Sequence, residues 1–479
     1  MKGSVVMSLW VFGYGLLWTF FTFFLDPTVP YDAVEALNWA QNADWGSPKN
    51  PWLVGMVMRL ALYLPVSLSL YWYASHFVAI AIGMAGVWVF ARRLSGSERL
   101  AWLAILTLNF SGLINFDIIS YNDNYLLVML WPWMMLCFYF AIMHHANWWL
   151  AFSAVAGLAT MAKYSTLAFI GFVFLSTLVV PRIRSCYRQP TFYGALLLGL
   201  VLVLPNIIWL WQHNFSAFNW VGSQIKNSFN LELLIKASTV FYPLLILWWI
   251  LRKRNIHLIF PQSWVLQVML AVYLLPLMLI FIWFLFHDGD RLTEWLQPFF
   301  ILTPALIVSC VNRHPERLPR GVYACLFGVA GVVLVGYIGV LCGNVANAGQ
   351  NKSNIISFSY HLDQQWRARY GIPLRYVGGE YWSQWLIFYA PSRPQIITPW
   401  DNKERPNIYN ADIREEKIRQ DGALLVGQLG KTCEQEKFYT MLRMWPTLRI
   451  DTVQQMNFQE DRTKPLYPLC IAFLKPIKQ

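Results

Sequence analysis

Asp32 and Glu35, three residues apart, open a polar stretch that follows the first hydrophobic run: Pro30-Tyr31-Asp32-Ala33-Val34-Glu35, then Trp39, Gln41, Asp44-Trp45-Gly46 and Lys49-Asn50-Pro51-Trp52-Leu53. On a helix this spacing puts both carboxylates on one face. Paired carboxylates at the mouth of a membrane bundle are what a proton-abstracting site requires. The same residues also read as a helix start, with Asp32 capping it and meeting its positive end.

Three further hydrophilic clusters interrupt the apolar sequence. Asn115-Phe116-Asp117 and Ser120-Tyr121-Asn122-Asp123-Asn124 precede a run of Leu, Val, Met and Trp. A carboxylate there costs desolvation unless it is paired or used, and Asn122–Asn124 also suits a helix cap. Lys163-Tyr164-Ser165 divides two apolar arms. A lysine with no carboxylate nearby in sequence either snorkels to the interface or offers a phosphate a point charge. The third cluster joins Trp211-Gln212-His213-Asn214-Phe215 to His287-Asp288-Gly289-Asp290-Arg291 and Glu294-Trp295. Its acids with Asn or His nearby allow a divalent ion, although a solvated loop is the more frequent fate, so no metal or other cofactor is expected.

These clusters need a frame. The 479 residues are 57% hydrophobic and 13% charged, against about 25% charged for a soluble domain. The reading is therefore a polytopic membrane protein, and the net charge of +12 does not point to nucleic acid. Spans of about 20 apolar residues are expected at about eleven places, centred near residues 15, 81, 106, 133, 155, 172, 200, 242, 275, 302 and 331. Those near 155 and 172 also read as one helix plus a re-entrant piece. With the N-terminus inside, Arg92, Arg93, Arg99, Arg182, Arg184, Arg188, Arg252, Lys253, Arg254, Arg313, Arg317 and Arg320 fall on the inner side. Most acids before the tail, Asp32, Glu35, Asp117, Asp123 and Glu294 among them, fall outside. That asymmetry orients the chain with its tail outside.

From about Gly343 the sequence turns polar. Short apolar runs at 374–377, 395–397, 423–426, 448–450 and 469–473 read as strands, and Tyr381–Tyr389 reads as a helix. The expectation is a membrane domain over 1–342 and a small α/β domain outside the membrane over 343–479. Of seven cysteines only Cys433 and Cys470 fall in that tail, where an oxidising compartment makes them candidates for a disulfide. No cysteine or histidine spacing matches a zinc site, there is no G-x-S-x-G, and Leu425 stands where a P-loop ending at Gly430-Lys431-Thr432 requires glycine.

With these residues in view the sequence resembles the polytopic GT-C glycosyltransferases, in the bacterial branch related to protein mannosyltransferases and the lipid A aminoarabinose transferase. Four stretches carry the resemblance: Asp32, Glu35, Trp39, Gln41, Gly46 and Lys49–Leu53 in the first loop; Asn122–Trp131; Gly157-Leu158-Ala159…Lys163-Tyr164-Ser165; and Pro205…Trp209…His213…Phe215. A weaker likeness continues to Tyr389. One departure is that the His-Pro-Pro of that branch is Asn50-Pro51-Trp52 here.

The resemblance implies an inverting glycosyltransferase of a bacterial inner membrane, with the N-terminus cytoplasmic and the tail periplasmic. Its donor would be a sugar on a polyprenyl phosphate, and its acceptor a glycolipid, a polysaccharide or a protein, as in lipopolysaccharide modification. Asp32 matches the first-loop acid and takes the general-base role, with Glu35 and Asp123 as supporting acids. Lys163 is the foremost phosphate contact, and Lys49, Tyr164, His213 and Arg291 are further substrate-binding candidates. Two other classes share the spans and buried charges. A flippase or exporter of a lipid-linked sugar would show inverted repeats, and none is evident. Another lipid-phosphate group transferase, of the phosphoethanolamine type, would need clustered metal ligands in its outer domain, which the tail lacks.

Overall fold

The structure is a computed structural model. It describes every residue except 1, 43, 225, 228–231, 289–291, 313–317, 380, 398–412, 429–432, 434–444, 446 and 478–479.

Among the described residues six helices are long and apolar enough to cross a membrane: Gly3–Leu25, Leu68–Ser95, Asn124–Met143, Pro190–Gln212, Trp264–Phe286 and Arg320–Ala348. A seventh candidate is the pair Leu234–Phe241 and Pro243–Lys253, bent by 54°. Pro243 stands at the start of its second arm, where a proline cannot continue the preceding ladder. All seven coincide with expected spans. The expected spans near 106, 155, 172 and 302 are instead the short helices Glu98–Thr107, Trp148–Ala162, Thr166–Val179 and Thr303–Ser309. Even the longest of these, at 15 residues, rises only about 22 Å against a ~30 Å hydrocarbon core. Hydropathy counted them because it registers apolar length, not helix breaks. Lys163 takes an extended backbone between the second and third (φ −155°, ψ 133°), and the 3₁₀ turn Gln297–Ile301 precedes the last.

The contacts divide the chain into two compact units, 1–20, 49–54 and 73–337 in one, 21–48, 55–72 and 338–479 in the other. In the first unit, helix Trp148–Ala162 packs on both Asn124–Met143 and Pro190–Gln212. Gly157 permits the approach to Pro190–Gln212, and Gly83 permits that of helix Leu68–Ser95 to Asn124–Met143. A Cβ at Gly83 would lie 2.3 Å from the Val128 carbonyl oxygen, and one at Gly157 would lie 2.8 Å from Leu202 Cδ1. At the centre of this unit the Trp131 indole lies edge-on to Phe169 and Phe299, with ring centroids 4.6 and 4.9 Å away. Its Nε1 donates to Thr166 Oγ1 at 3.1 Å, so the buried indole is satisfied.

The second unit holds a five-stranded mixed sheet, in spatial order 395–396, 376–379, 423–428, 466–474, 450–459. The first three strands run parallel, and Tyr381–Tyr389 is the helix joining Tyr376–Gly379 to Gln395–Ile396. The last two strands pair antiparallel as a hairpin. Leu466–Leu474 lies between two neighbours and is buried continuously from Leu469 to Leu474, as an apolar central strand should be. Ile450–Gln459 is the edge strand, and its residues alternate between half-buried and exposed along most of its length. That alternation, Thr-Val-Gln-Gln-Met-Asn-Phe, hid most of the strand from a search for apolar runs, which found only its start.

Cys433 and Cys470 are joined by a disulfide, with Cα atoms 5.6 Å apart and a sequence separation of 37. The bridge ties Cys433 to the central strand within the core formed with Tyr376, Leu425 and Trp445. A loop of that length corresponds to about 3–4 kcal/mol of chain-entropy stabilisation. Replacing both cysteines by serine is expected to raise the rate at which protease cleaves the tail by about 100-fold or more, through its opened state. An unchanged cleavage rate would show that the bridge contributes nothing.

Candidate active site

Helix Trp148–Ala162 ends against Lys163, whose side chain is 9% exposed. Burying an ammonium this fully requires partners. Its Nζ lies 3.1 Å from Asp123 Oδ2, 2.9 Å from Asn124 Oδ1 and 3.5 Å from Glu294 Oε1, and 5.7 Å from the centroid of the Trp295 ring. Asp123 occupies the N-cap position of helix Asn124–Met143, yet its side chain makes no capping bond. The capping reading of Asp123 therefore gives way to ion pairing.

The lysine is also oriented through a chain of side-chain amides. Asn124 Oδ1 accepts from Lys163, while Asn124 Nδ2 donates to Gln297 Oε1 at 3.0 Å and to the Glu294 carbonyl at 3.0 Å. Gln297 Nε2 then donates to Asp117 Oδ2. Each amide has its donor end facing an acceptor, which fixes both orientations. Nearby, the Tyr164 hydroxyl donates to Asn206 Oδ1 at 2.9 Å, and its ring stacks on Phe218.

A cavity of about 700 Å³ opens on this cluster. Lys49, Asn50, Asp123, Lys163, Tyr164 and Glu294 form its polar part, and Phe218, Trp220, Leu279, Ile282, Trp283 and Phe286 lie among the apolar residues of its wall. Lys49 Nζ sits 5.5 Å over the Trp220 ring. Asn50, at the position of the family's histidine, donates from Nδ2 to Asn122 Oδ1 at 3.1 Å. The departure therefore replaces an imidazole by a buried amide pair. The cavity thus joins a part lined by Lys49, Lys163, Asp123 and Glu294 to apolar walls, so it suits a ligand with both a polar head and apolar length.

The structure thus brings Lys49, Asp123, Lys163 and Tyr164 together and adds Glu294. Lys163, read from the sequence as having no carboxylate nearby, has two. Glu294 stands 131 residues away in the chain, and only its place beside Trp295 in a polar cluster gave a signal. His213 is not among the lining residues. It ends its helix stacked on Trp209 at 4.2 Å, with Nδ1 2.8 Å from the Trp209 carbonyl oxygen. His287 repeats that arrangement on Trp283, at 4.5 and 2.8 Å, and does line the cavity. Arg291 lies outside the described residues. Among the described residues no group of three or more His, Cys, Asp or Glu is gathered as for a metal ion.

Asp32 and Glu35 belong to the second unit, on helix Tyr31–Asn42. Asp32 is inside the first turn and half-buried, so it meets the positive helix end as a first-turn acid and not as the cap. Glu35 is buried. Tyr31 packs against Tyr381 and Trp385 and donates to Gln384. Burial above all, then the charge of Glu35, pushes the Tyr31 phenol well up, so it stays a neutral donor.

Apolar spans, a half-open cavity with charges at one part, and a small mixed sheet define a polytopic membrane fold of the GT-C type. The crystal structure of ArnT from Cupriavidus metallidurans bound to undecaprenyl phosphate has the same fold, with a TM-score of 0.62 over 97% of each chain at 14% identity. A family model described as dolichyl-phosphate-mannose-protein mannosyltransferase matches residues 46–209. That stretch runs from Gly46 through Lys163 to Trp209 and includes the second and third of the four motif regions on which the sequence resemblance rests, with the end of the first and the start of the fourth. No curated protein matches the sequence. The chain is an integral membrane protein of ArnT-like GT-C fold, as the sequence resemblance implied.

Proposed function

We propose that the protein is a membrane glycosyltransferase that moves a sugar from a polyprenyl-phosphate-linked donor to a glycolipid, polysaccharide or protein acceptor on the outer face of the membrane. The observation that carries this reading is the cavity: about 700 Å³, with apolar walls and a charged part holding Lys49 and Lys163. A lipid-linked sugar phosphate has that chemistry, an anionic phosphodiester head on a hydrocarbon chain. The neighbour bound to undecaprenyl phosphate and the family match over 46–209 support the same substrate class.

In this reading the acceptor hydroxyl oxygen attacks the anomeric carbon, and the bond from that carbon to the phosphate oxygen breaks. The electron pair leaves with the polyprenyl phosphate, and the hydroxyl proton passes to a carboxylate. Transfer inverts the anomeric centre. The base is Asp32, by its match to the family's first-loop acid, with Glu35 in support. Lys49 is taken as the contact for the donor phosphate because it lines the polar part of the cavity, where Lys163 is held between two carboxylates. Asp123 and Glu294 hold Lys163 rather than act on the acceptor. The chain divides chemically into a membrane catalytic part, 1–342, and an outer part, 343–479.

Mass analysis of surface glycolipids and glycans from a deletion strain tests the reading. Loss of a mass increment equal to one sugar, with the lipid-linked donor still delivered to the outer face, is expected. Donor accumulating on the inner face would instead identify a flippase. The orientation is tested separately. A reporter active only outside the cytoplasm, fused after Gly343, should be active, and the same reporter fused near Lys253 should be silent. The opposite pair of results would reverse the scheme.

A further inference from the structure

Helix Asn124–Met143 starts at the charged cavity and ends at a second one. Its 20 residues rise about 30 Å, the thickness of the hydrocarbon core, so the two cavities lie at opposite membrane faces. The second cavity, about 170 Å³, is lined by the turn after this helix and the turn before helix Pro190–Gln212, with His144, His145, Arg182, Ser185 and Gln189 among its residues.

Four observations give its chemistry. It has no carboxylate in its lining, while Arg182 and two imidazoles supply cationic and donor groups. The Arg182 guanidinium is held 5.3 Å over the Trp264 ring, which stations its charge at the interface. His145 Nδ1 accepts from the Asn147 amide at 3.1 Å, which puts the proton of the neutral ring on Nε2 as a donor. Gln189 Oε1 is shut off from solvent and has no hydrogen-bond donor among the described residues. An orphaned acceptor beside an anion-binding set calls for a ligand carrying both a negative charge and a hydroxyl. The volume equals about five or six waters, room for a phosphate and a short polyol. Next to it Tyr193, Leu196 and Leu197 are half or more exposed on the first turns of helix Pro190–Gln212, facing where acyl chains lie.

We propose that this cavity is a headgroup site for an anionic, hydroxyl-bearing phospholipid of the phosphatidylglycerol type, in the leaflet opposite the reaction cavity. Arg182 and the two histidines take the phosphodiester, and the Gln189 amide, turned so that Oε1 faces the cavity it lines, accepts from the glycerol hydroxyl. A zwitterionic headgroup would bring its own cation into a set that already lacks any negative side chain. The proposal depends on the membrane fold and not on the transferase reading.

The test is lipid retention. Purified protein is exchanged into nanodiscs of phosphatidylcholine with phosphatidylglycerol or phosphatidic acid, stripped with detergent, and its bound lipid is measured by native mass spectrometry. Wild-type protein should keep one phosphatidylglycerol in preference to phosphatidylcholine. Arg182→Gln should weaken that retention by about tenfold or more, the effect of losing a charge-assisted contact. Gln189→Leu should fold normally, since the Gln189 side chain makes no capping bond, and should lose the preference for phosphatidylglycerol over phosphatidic acid. Arg188→Gln, in the same turn but outside the lining, should change nothing. Equal retention of phosphatidylcholine would overturn the proposal, as would undiminished retention in Arg182→Gln or an equal loss in Arg188→Gln. Complete displacement of the lipid by excess inorganic phosphate would make this a free-anion site and overturn it too.

Discussion

Lys163→Met should unfold or mis-insert much of the protein before it affects any substrate. The lysine joins Asp123 and Glu294, whose side chains are 3% and 16% exposed. Removing it leaves two carboxylates facing each other in a poor solvent for charge, and breaking a buried pair from one side costs about 3–5 kcal/mol. A phosphate-binding role alone predicts something different: a correctly inserted protein with weaker use of its donor, by about 1.5–3 kcal/mol. Thermal denaturation in detergent separates the two. The expected result is a large fall in the midpoint for Lys163→Met and partial recovery in Lys163→Met combined with Asp123→Asn, because the second change removes the orphaned charge. If Lys163→Met melts like the wild type and loses only donor use, the lysine serves the phosphate directly and Lys49 is the secondary contact.

That contrast marks where the sequence stopped being informative. Lys163, Asp123 and Lys49 were legible one by one, because an ionisable side chain inside an apolar run is costly and must have a purpose. Their grouping was not, since the ion pair joins the start of one span to the end of a broken one, and Glu294 comes from a third element. Periodicity reports which residues share a helix face but not which helices are neighbours. The tail was more readable. Its strands at 376–379, 395–396, 423–428 and 466–474 are apolar runs with turn residues around them, and the helix Tyr381–Tyr389 is bounded by Pro391. Its disulfide was suggested by cysteine count alone, and only the 5.6 Å separation of the two Cα atoms establishes it. The short helices near 106, 155, 172 and 302 show the opposite failure, with enough apolar residues for a span but a break in the backbone ladder.

Asp32→Asn should lower turnover by about 10²–10⁴-fold while leaving the fold intact, because general-base catalysis is lost and the side-chain shape is kept. The position makes this a clean test. Asp32 is half-buried in the first turn of Tyr31–Asn42, where its helix-dipole contribution is about 0.3–1 kcal/mol, and the melting temperature reads any loss of stability separately from turnover. Glu35→Gln is the informative companion. Glu35 is 1% exposed, so its replacement should register mainly as a changed melting temperature and less as lost turnover per folded molecule. Donor binding should survive in Asp32→Asn, since the phosphate is assigned to Lys49. Turnover per folded molecule, measured beside donor binding for Asp32→Asn and Asp123→Asn, decides the assignment. Near-wild-type turnover in Asp32→Asn with none in correctly folded Asp123→Asn would move the base to Asp123. The carboxylate paired with Lys163 would then be the group that takes the proton, and Asp32 would be left as a first-turn acid stabilising its helix.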